Sequence, residues 1–413
     1  MRIAIVGGGL GGLAAALFLR RAGVHATVYE QASALREVGA GLVVPPNMVR
    51  PLAQLGLAAK LPDFAVRLEA GWEFRRWQDA GVLSVQPMGD ECERLYGAPC
   101  YVAHRADLLA LLQAALPEDQ LCLDHRCVDV RQDEGGVELT FAHRGGRRTK
   151  VAADAAVGAD GIHSEVGAAL QANAEPHFAQ LCAYRFLVSA DLAPAMALRP
   201  VQTLWLGPGR HLVHYPISGG RLVNGVAIVP AGEWRTESWT AEGSVQDLVA
   251  EFEGWHEDVQ RLISAATETK RWALYDRDPL ERWTHGRVTL LGDAAHAMLP
   301  FFAQGAAQAI EDAQALAACL READAASAPA ALRRYEELRR PRASEVQLMS
   351  RGREIRNHLP DGALQRQRDL ELMQGEPLRQ SAWLYGHDLA QGSGAGADGG
   401  DSQEWGRTRV DPR

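Results

Sequence analysis

The chain has 413 residues, 47% hydrophobic and 23% charged, which at roughly 150 residues per domain allows two or three domains around a sizeable core. That balance excludes bulk disorder, collagen-like repeats and coiled-coil fibres. Basic residues number 43 against 52 acidic, and only three are lysines (Lys60, Lys150, Lys270), with no polybasic block, so nucleic acid is not an expected partner.

No run of about 18 apolar residues occurs, and the apolar start is broken by glycines and by Arg20-Arg21. The expectation is a cytoplasmic chain, monomer or homodimer, with no membrane contact. The cysteines (Cys92, Cys100, Cys122, Cys127, Cys182, Cys319) include no C-x-x-C pair, so no metal site is expected and sulfur is not where redox work would sit.

In chain order, Arg2 to Val6 reads as a strand, a glycine cluster follows, Leu10 to Arg21 reads as a helix and Ala26 to Tyr29 as a second strand: a βαβ unit. Between 36 and 50 a Gly/Pro-rich loop is expected, with Gly39-Ala40-Gly41 and Pro45-Pro46. Strand-like segments follow near Trp72 to Trp77, a helix over Ala106 to Ala115, and strands at Val128 to Val130, Val137 to Phe141 and Ala155 to Val157. From Tyr184 to Pro230 the text is almost all strand (Tyr184 to Val188, Thr203 to Leu206, His211 to Ile217, Leu222 to Val229), then helical around Val245 to Ala266. Another buried strand, Val288 to Leu291, precedes a helix from about Gly305 to Leu320 and an Arg-rich helical segment from Ala331 to Arg356. The fold class expected is α/β: a discontinuous Rossmann-like unit (1–70, 100–180, 280–325), an inserted, mainly antiparallel sheet unit (71–99, 181–279), C-terminal helices (326–390) and a disordered tail (391–413).

Gly7-Gly8-Gly9-Leu10-Gly11-Gly12 satisfies G-x-G-x-x-G. So does Gly394 to Gly399 in the tail, with no strand before it and no helix after it, which reads as composition only. The first match follows a strand, opens a helix and is answered by Glu30 at the end of the next strand. Glycines let backbone approach a pyrophosphate, the helix start offers unpaired N–H groups and positive dipole, and Glu30 can accept from ribose hydroxyls. An acidic residue there favours FAD or NAD over NADP at this site.

Two more apolar strands end in aspartate turns: Val157-Gly158-Ala159-Asp160-Gly161-Ile162-His163-Ser164 and Leu291-Gly292-Asp293-Ala294-Ala295-His296. Taken singly, Asp160 also reads as a helix cap, Asp293 as a turn cap and Arg105 as a surface ion pair. With the cradle before them, the ordered motifs make the first 370 or so residues resemble the single-component FAD-dependent aromatic hydroxylases, of the salicylate and 3-hydroxybenzoate 6-hydroxylase type. The resemblance implies Asp293, with Gly292, on the ribityl chain of FAD and Asp160 near both FAD and the nicotinamide cofactor. It also implies Arg105 on the flavin chain and phosphates, with Gly7, Gly9, Leu10, Gly12, Glu30, Gln31, Gly41 and Val128 lining the cofactor. Gly167 stands where the family often carries an arginine.

Pro300 to Gln308 leads into a helix whose first N–H groups, at Gly305, Ala306 and Ala307, would face the flavin where negative charge collects on reduction. Strand alternation turns His211, Val213 and Tyr215 one way and His214 the other. The resemblance places His211, Tyr215, Gln304 and Pro300 at the substrate. A histidine titrating near neutrality suits removal of a phenol proton, which makes His211 the expected base, with Tyr215 and Gln304 orienting ring substituents; a satisfied sheet histidine is the alternative. The implied activity is hydroxylation of a small aromatic acid by NADH (or NADPH) and O2 through a C4a-hydroperoxyflavin. The alternatives are an FAD/NADH oxidoreductase without oxygen insertion and a non-catalytic flavin-binding module.

Overall fold

The structure is a computed structural model that describes residues 1–35, 40–171, 175–236 and 241–389. Gly39 of the expected loop and the expected tail, with its second glycine match, lie outside those residues.

Five parallel strands form the first sheet, in the order Val288–Leu290, Ala155–Gly158, Arg2–Val6, His25–Tyr29 and Leu121–Cys122, with the short antiparallel strand Thr284–His285 at one edge. Ile3 to Val6 are buried on both faces, as expected of a parallel strand covered by helices on either side. Helix Leu10–Arg21 packs against helix Gly305–Leu320, and Gly11 permits it: a Cβ there would fall 2.7 Å from Leu291 and 3.2 Å from Ala309. Arg20 and Arg21 in its last turn complement the helix dipole.

The second large sheet has eight strands: Glu242–Gly243, Thr269–Asp276, His177–Ser189, Leu222–Pro230, Arg210–Ile217, Val201–Gly207, Gly71–Arg76 and Val82–Gln86. All pairs are antiparallel except Val201–Gly207 with Gly71–Arg76. One face (Tyr184, Trp205, Leu212) packs on helices Val245–Glu251 and Glu257–Ser264 through Leu248, Phe252, Val259 and Leu262. The opposite face carries Tyr215 and Ile217 into a cluster with Leu68, Tyr96, Val102 and Tyr385. Two three-stranded sheets complete the β-structure: Arg126–Gln132, Val137–Ala142 and Arg148–Ala153; and Gly41–Val44, Tyr101–His104 and Val66–Arg67. Helix Ala328–Asn357 runs back along helix Gly305–Leu320 and buries Tyr335 and Arg339.

Three expectations change. The stretch expected as loop up to residue 50 contains strand Gly41–Val44 and helix Pro46–Gln54. Pro45-Pro46 reads as a breaker, but proline at the first helical position starts a helix at no hydrogen-bonding cost, and the strand's partner, Tyr101–His104, is remote in sequence. The helical interval divides into two helices at Phe252 to His256. Strands Arg148–Ala153 and Thr269–Asp276 were not expected, because their charged residues hide the alternation.

Candidate functional site

Four segments leave the carboxyl edge of the parallel sheet together: Gly7, Glu30, Ala159-Asp160 and Leu291-Gly292. Their backbones are stitched by Gly7 N–H donating to Tyr29 O (2.8 Å), Ala159 N–H to Val6 O (2.7 Å) and Leu291 N–H to Gly158 O (2.9 Å). The chain passes from Arg2–Val6 first to the strand on one side and later to the strand on the other, the crossing point where such sheets open a ligand crevice.

Gly7 has φ +109, and a Cβ there would lie 2.3 Å from the Ala159 carbonyl oxygen; on Gly12 it would lie 2.0 Å from that of Gly7. Gly9 would meet nothing within 4 Å. Helix Leu10–Arg21 is thus pressed onto the strands while its start faces open space. That start has no side-chain cap and no acidic residue in its first turn, so its N–H groups are available to an anion. The Glu30 carboxylate accepts from Gly8 N–H (2.6 Å) and Ala32 N–H (2.7 Å), which leaves lone pairs for ribose hydroxyls. Gln31 beside it is exposed, and Val128 is half-buried in the neighbouring strand Arg126–Gln132.

Asp160 is turned inward. Its carboxylate accepts from Ser164 O–H (2.5 Å) and Val166 N–H (3.1 Å) at the start of helix Glu165–Ala169, and burial pushes its pKa up. The motif presents backbone to the cradle, while the aspartate itself does the capping that was its alternative reading. Asp293 is exposed at the start of helix Asp293–His296, and its Oδ1 lies 3.8 Å from where a Cβ on Gly305 would sit, so the second aspartate turn and the loop before helix Gly305–Leu320 adjoin. Gly292, at φ +64, donates its N–H to Asp312 Oδ2 at 3.1 Å. Arg105 opens helix Arg105–Ala115 and donates its backbone N–H to Ala40 O (2.8 Å) beside Gly41.

On the sheet side, Tyr215 and Gly41 meet: a Cβ on Gly41 would lie 2.6 Å from the Tyr215 ring, and Gly41 N–H donates to Asn224 Oδ1 at 2.8 Å. Burial raises the Tyr215 pKa, which keeps its hydroxyl a donor. His211 is 4% exposed, with Nδ1 2.7 Å from His358 Nε2 and the Phe301 ring 5.6 Å away. The expectation of titration near neutrality is corrected: burial, His358 and the Arg353 guanidinium hold His211 well below the ordinary histidine value. His214, on the opposite face, lies near Trp205 and is pushed down to about 4 by burial and by Arg75 and Arg199. Pro300 is exposed; Gln304 is 2% exposed, Gly305 and Ala306 are half-buried and Ala307 is buried.

Sequence reasoning gave no role to His358, Asn47, Asn224 or a buried charge network. Arg339 and Arg342 clamp Glu311, which they hold down at about 2, and Arg339 also reaches Asp312 (2.8 Å), which pairs with His296 (2.6 Å). A signal existed: Gln304, Gln308, Glu311 and Asp312 recur at helical spacing in an otherwise alanine-rich stretch. Among the described residues no group of three His, Cys, Asp or Glu could hold a metal ion, and no helix is long and apolar enough to cross a membrane.

The parallel sheet, the glycine cradle, the uncapped helix start and the Glu30 carboxylate together define a dinucleotide-binding site, and they fit the adenosine diphosphate half of FAD. A family model described as an FAD binding domain matches residues 1–350. The chain is 44% identical over 389 residues to the 3-amino-4-hydroxybenzoate 2-monooxygenase PtnB3 of Streptomyces platensis, covering 94% of this chain and 96% of that one. It is 35% identical to a salicylate hydroxylase of Pseudomonas putida, covering 94% and 93%. The crystal structure of Klebsiella pneumoniae HpxO complexed with FAD and uric acid superposes with a TM-score of 0.81 at 28% identity, over 93% of this chain and 96% of that one. The chain belongs to the FAD-dependent aromatic hydroxylases, flavoprotein monooxygenases of mixed α/β fold.

Proposed function

We propose that the protein hydroxylates a small amino- or hydroxy-substituted aromatic acid, with NADH rather than NADPH as electron donor. In this reading the cofactor unit comprises 1–70, 100–180 and 280–325, and the substrate unit 71–99 and 181–279. The observation that carries it is the convergence of Tyr215 on Gly41, beside the family's flavin positions, with a buried Gln304 amide whose Nε2 has no partner among the described residues. The relatives named for aminohydroxybenzoate and salicylate support the substrate class.

When bound, FAD supplies the two-electron chemistry that lets NADH and O2 put one oxygen atom on a ring carbon and release the other as water. The residues of this chain bind, orient and deprotonate. The cradle from Gly7 to Gly12 and Glu30 hold the adenosine diphosphate, and Asp293 the ribityl hydroxyls. The helix start at Gly305 to Ala307 has no side-chain cap, and its N–H groups would stabilise negative charge on a flavin held beside it. His211 is neutral at working pH, with its Nδ1 engaged by His358. With Nδ1–H donating to His358 Nε2, the Nε2 lone pair is the one left to accept from a phenol O–H; burial makes it a weak base, so it draws the proton toward itself as the ring reacts and raises the electron density of the ring. Tyr215 O–H and Gln304 N–H donate to ring substituents.

The test is NADH and NADPH consumption by the FAD-loaded protein with a panel of hydroxybenzoates, aminohydroxybenzoates and hydroxynicotinates, followed by product mass. Ligand-stimulated consumption with a gain of one oxygen atom is expected, faster with NADH. The His211→Ala variant should keep FAD and stimulated NADH consumption but lose most of the hydroxylated product; full coupling in that variant refutes the base assignment.

A further inference from the structure

The buried amides around Gln304 have a sense that can be read from the charges behind them. Glu311 accepts from Arg339 Nη1 (2.8 Å to Oε2) and from Arg342 Nε (2.8 Å to Oε2) and Nη2 (3.0 Å to Oε1), so it is an ionised carboxylate that can only accept. Against that carboxylate, Asn47 must turn its NH2 inward, and Nδ2 donates to Glu311 Oε1 at 2.7 Å. Gln308 is turned by Arg339, whose Nη2 donates to its Oε1 at 2.8 Å, which leaves Gln308 Nε2 to donate to Glu311 Oε1 (3.2 Å).

Both amides then converge on one atom. Asn47 Nδ2 (2.9 Å) and Gln308 Nε2 (3.2 Å) donate to Gln304 Oε1. A half-turn of the Gln304 amide would set its NH2 against two other NH2 groups and leave its carbonyl unsupported. Its own Nε2 is therefore held as a donor. That nitrogen is buried without a partner among the described residues, on a side chain that lines a small cavity with Trp72, Cys100, Gln202, Phe302 and Tyr385. A buried amide nitrogen left unpaired is costly, and an oxygen acceptor, from a bound water or from a ligand that displaces it, is what would satisfy it.

We infer that Asn47, Gln308 and Glu311 are positioning residues that lock the Gln304 amide with its N–H groups toward the substrate, so that the site selects an aromatic acid presenting an oxygen acceptor there and rejects one presenting an amino group. The inference rests on the proposed aromatic-acid activity and adds the residues that fix the direction of one hydrogen bond and the selectivity that follows from it. A carboxylate or a phenol oxygen supplies the same acceptor; an arylamine offers N–H instead, with its lone pair drawn into the π-system, whereas a carboxamide keeps one carbonyl acceptor and loses the charge.

The experiment titrates the FAD-loaded protein, without NADH, with 3- and 4-hydroxybenzoate, 3- and 4-aminobenzoate, and 3- and 4-hydroxybenzamide, reading the visible absorption of the flavin. In the better-binding series one exchange should weaken binding about 10- to 100-fold, the cost of leaving a buried donor unpaired. Loss on the hydroxyl-to-amino exchange assigns the phenol oxygen; loss on the carboxylate-to-carboxamide exchange, which removes a charge but keeps a carbonyl acceptor, assigns the carboxylate only where the Asn47→Ala/Gln308→Met variant abolishes it. Exchanges all within threefold overturn the inference. In the Asn47→Ala/Gln308→Met double variant the Gln304 carbonyl has no donor left. There the discrimination should fall to within threefold, with KM for the preferred acid rising more than kcat falls; discrimination unchanged from wild type overturns the inference. Should that variant not fold, the wild-type hydroxyl-to-amino exchange decides alone. Hydroxylated product is followed in parallel: product formed with all probes binding equally removes this inference and leaves the activity standing, whereas no product from any aromatic acid removes both.

Discussion

Gly12→Ala tests the cradle directly. A Cβ at position 12 falls 2.0 Å from the carbonyl oxygen of Gly7, about 1.4 Å short of the 3.4 Å at which ordinary contact begins. Neither side gives easily, because both are backbone and Gly7 is tied to Tyr29 by its N–H. Helix Leu10–Arg21 must lift from the strands by on the order of 1 Å, since close-packed interiors transmit such strain instead of absorbing it. That carries its first N–H groups off the diphosphate. Losing two hydrogen bonds to a charged group, at roughly 1.5–3 kcal/mol each, amounts to about 3–6 kcal/mol, or two to four orders of magnitude in the Kd for FAD. The assay removes FAD from the protein and titrates it back, following quenching of flavin fluorescence. Gly352→Ala, inside helix Ala328–Asn357 with no atom within 4 Å of the added Cβ, serves as control and should leave FAD binding unchanged. If Gly12→Ala binds FAD within threefold of wild type, the close-approach argument fails.

Glu30→Ala removes the acceptor that ties Gly8 and Ala32 and that is proposed to meet the ribose, and should weaken FAD about 10- to 100-fold in the same titration while sparing FMN, which lacks the adenosine. Arg339→Met strips one guanidinium from both Glu311 and Asp312. Leaving buried charge uncompensated should cost about 3–5 kcal/mol of stability, seen as a lower urea midpoint, and an unchanged midpoint would refute it. His214 is held at about 4 against 6.5 in its ordinary state, so the unfolded chain takes up the proton first and stability falls as pH drops from about 6.5 to about 4. His214→Leu should therefore lose about 2 kcal/mol less than wild type between pH 7 and 5, provided urea midpoints are compared at each pH. Glu311, lowered to about 2 from 4.5, adds a second loss only as pH falls from about 4.5 toward 2.

The signals for the proposed cofactor half of the site are local. Gly7 to Gly12, Glu30 and the two aspartate turns each combine a strand, a turn and the start of a helix within a few residues, and one short window contains the physics of each. Asp160 shows the limit of such reading: the turn was recognised, but whether its carboxylate faces a ligand or caps Glu165–Ala169 depends on how the chain turns at Gly161. His211 and Tyr215 are proposed from strand alternation together with resemblance. The depressed titration of His211 was not found, because it comes from burial and from His358 and Arg353, about 150 residues away at and near the end of helix Ala328–Asn357.

What the sequence by itself determined is the class: a parallel sheet that opens a dinucleotide crevice, an FAD-type glycine cradle and a mainly antiparallel sheet inserted between its parts. Periodicity, glycine placement and the ribose carboxylate are properties of contiguous segments, and they survive without knowledge of what packs on them. Only the tertiary structure decided that Gly41 lies on Tyr215, that Asn47 and Gln308 converge on Gln304, and that two arginines from a later helix set the polarity of that cluster. Those are hydrogen bonds between residues up to 264 apart in sequence, and the direction of a buried amide depends on which charge the fold places behind it.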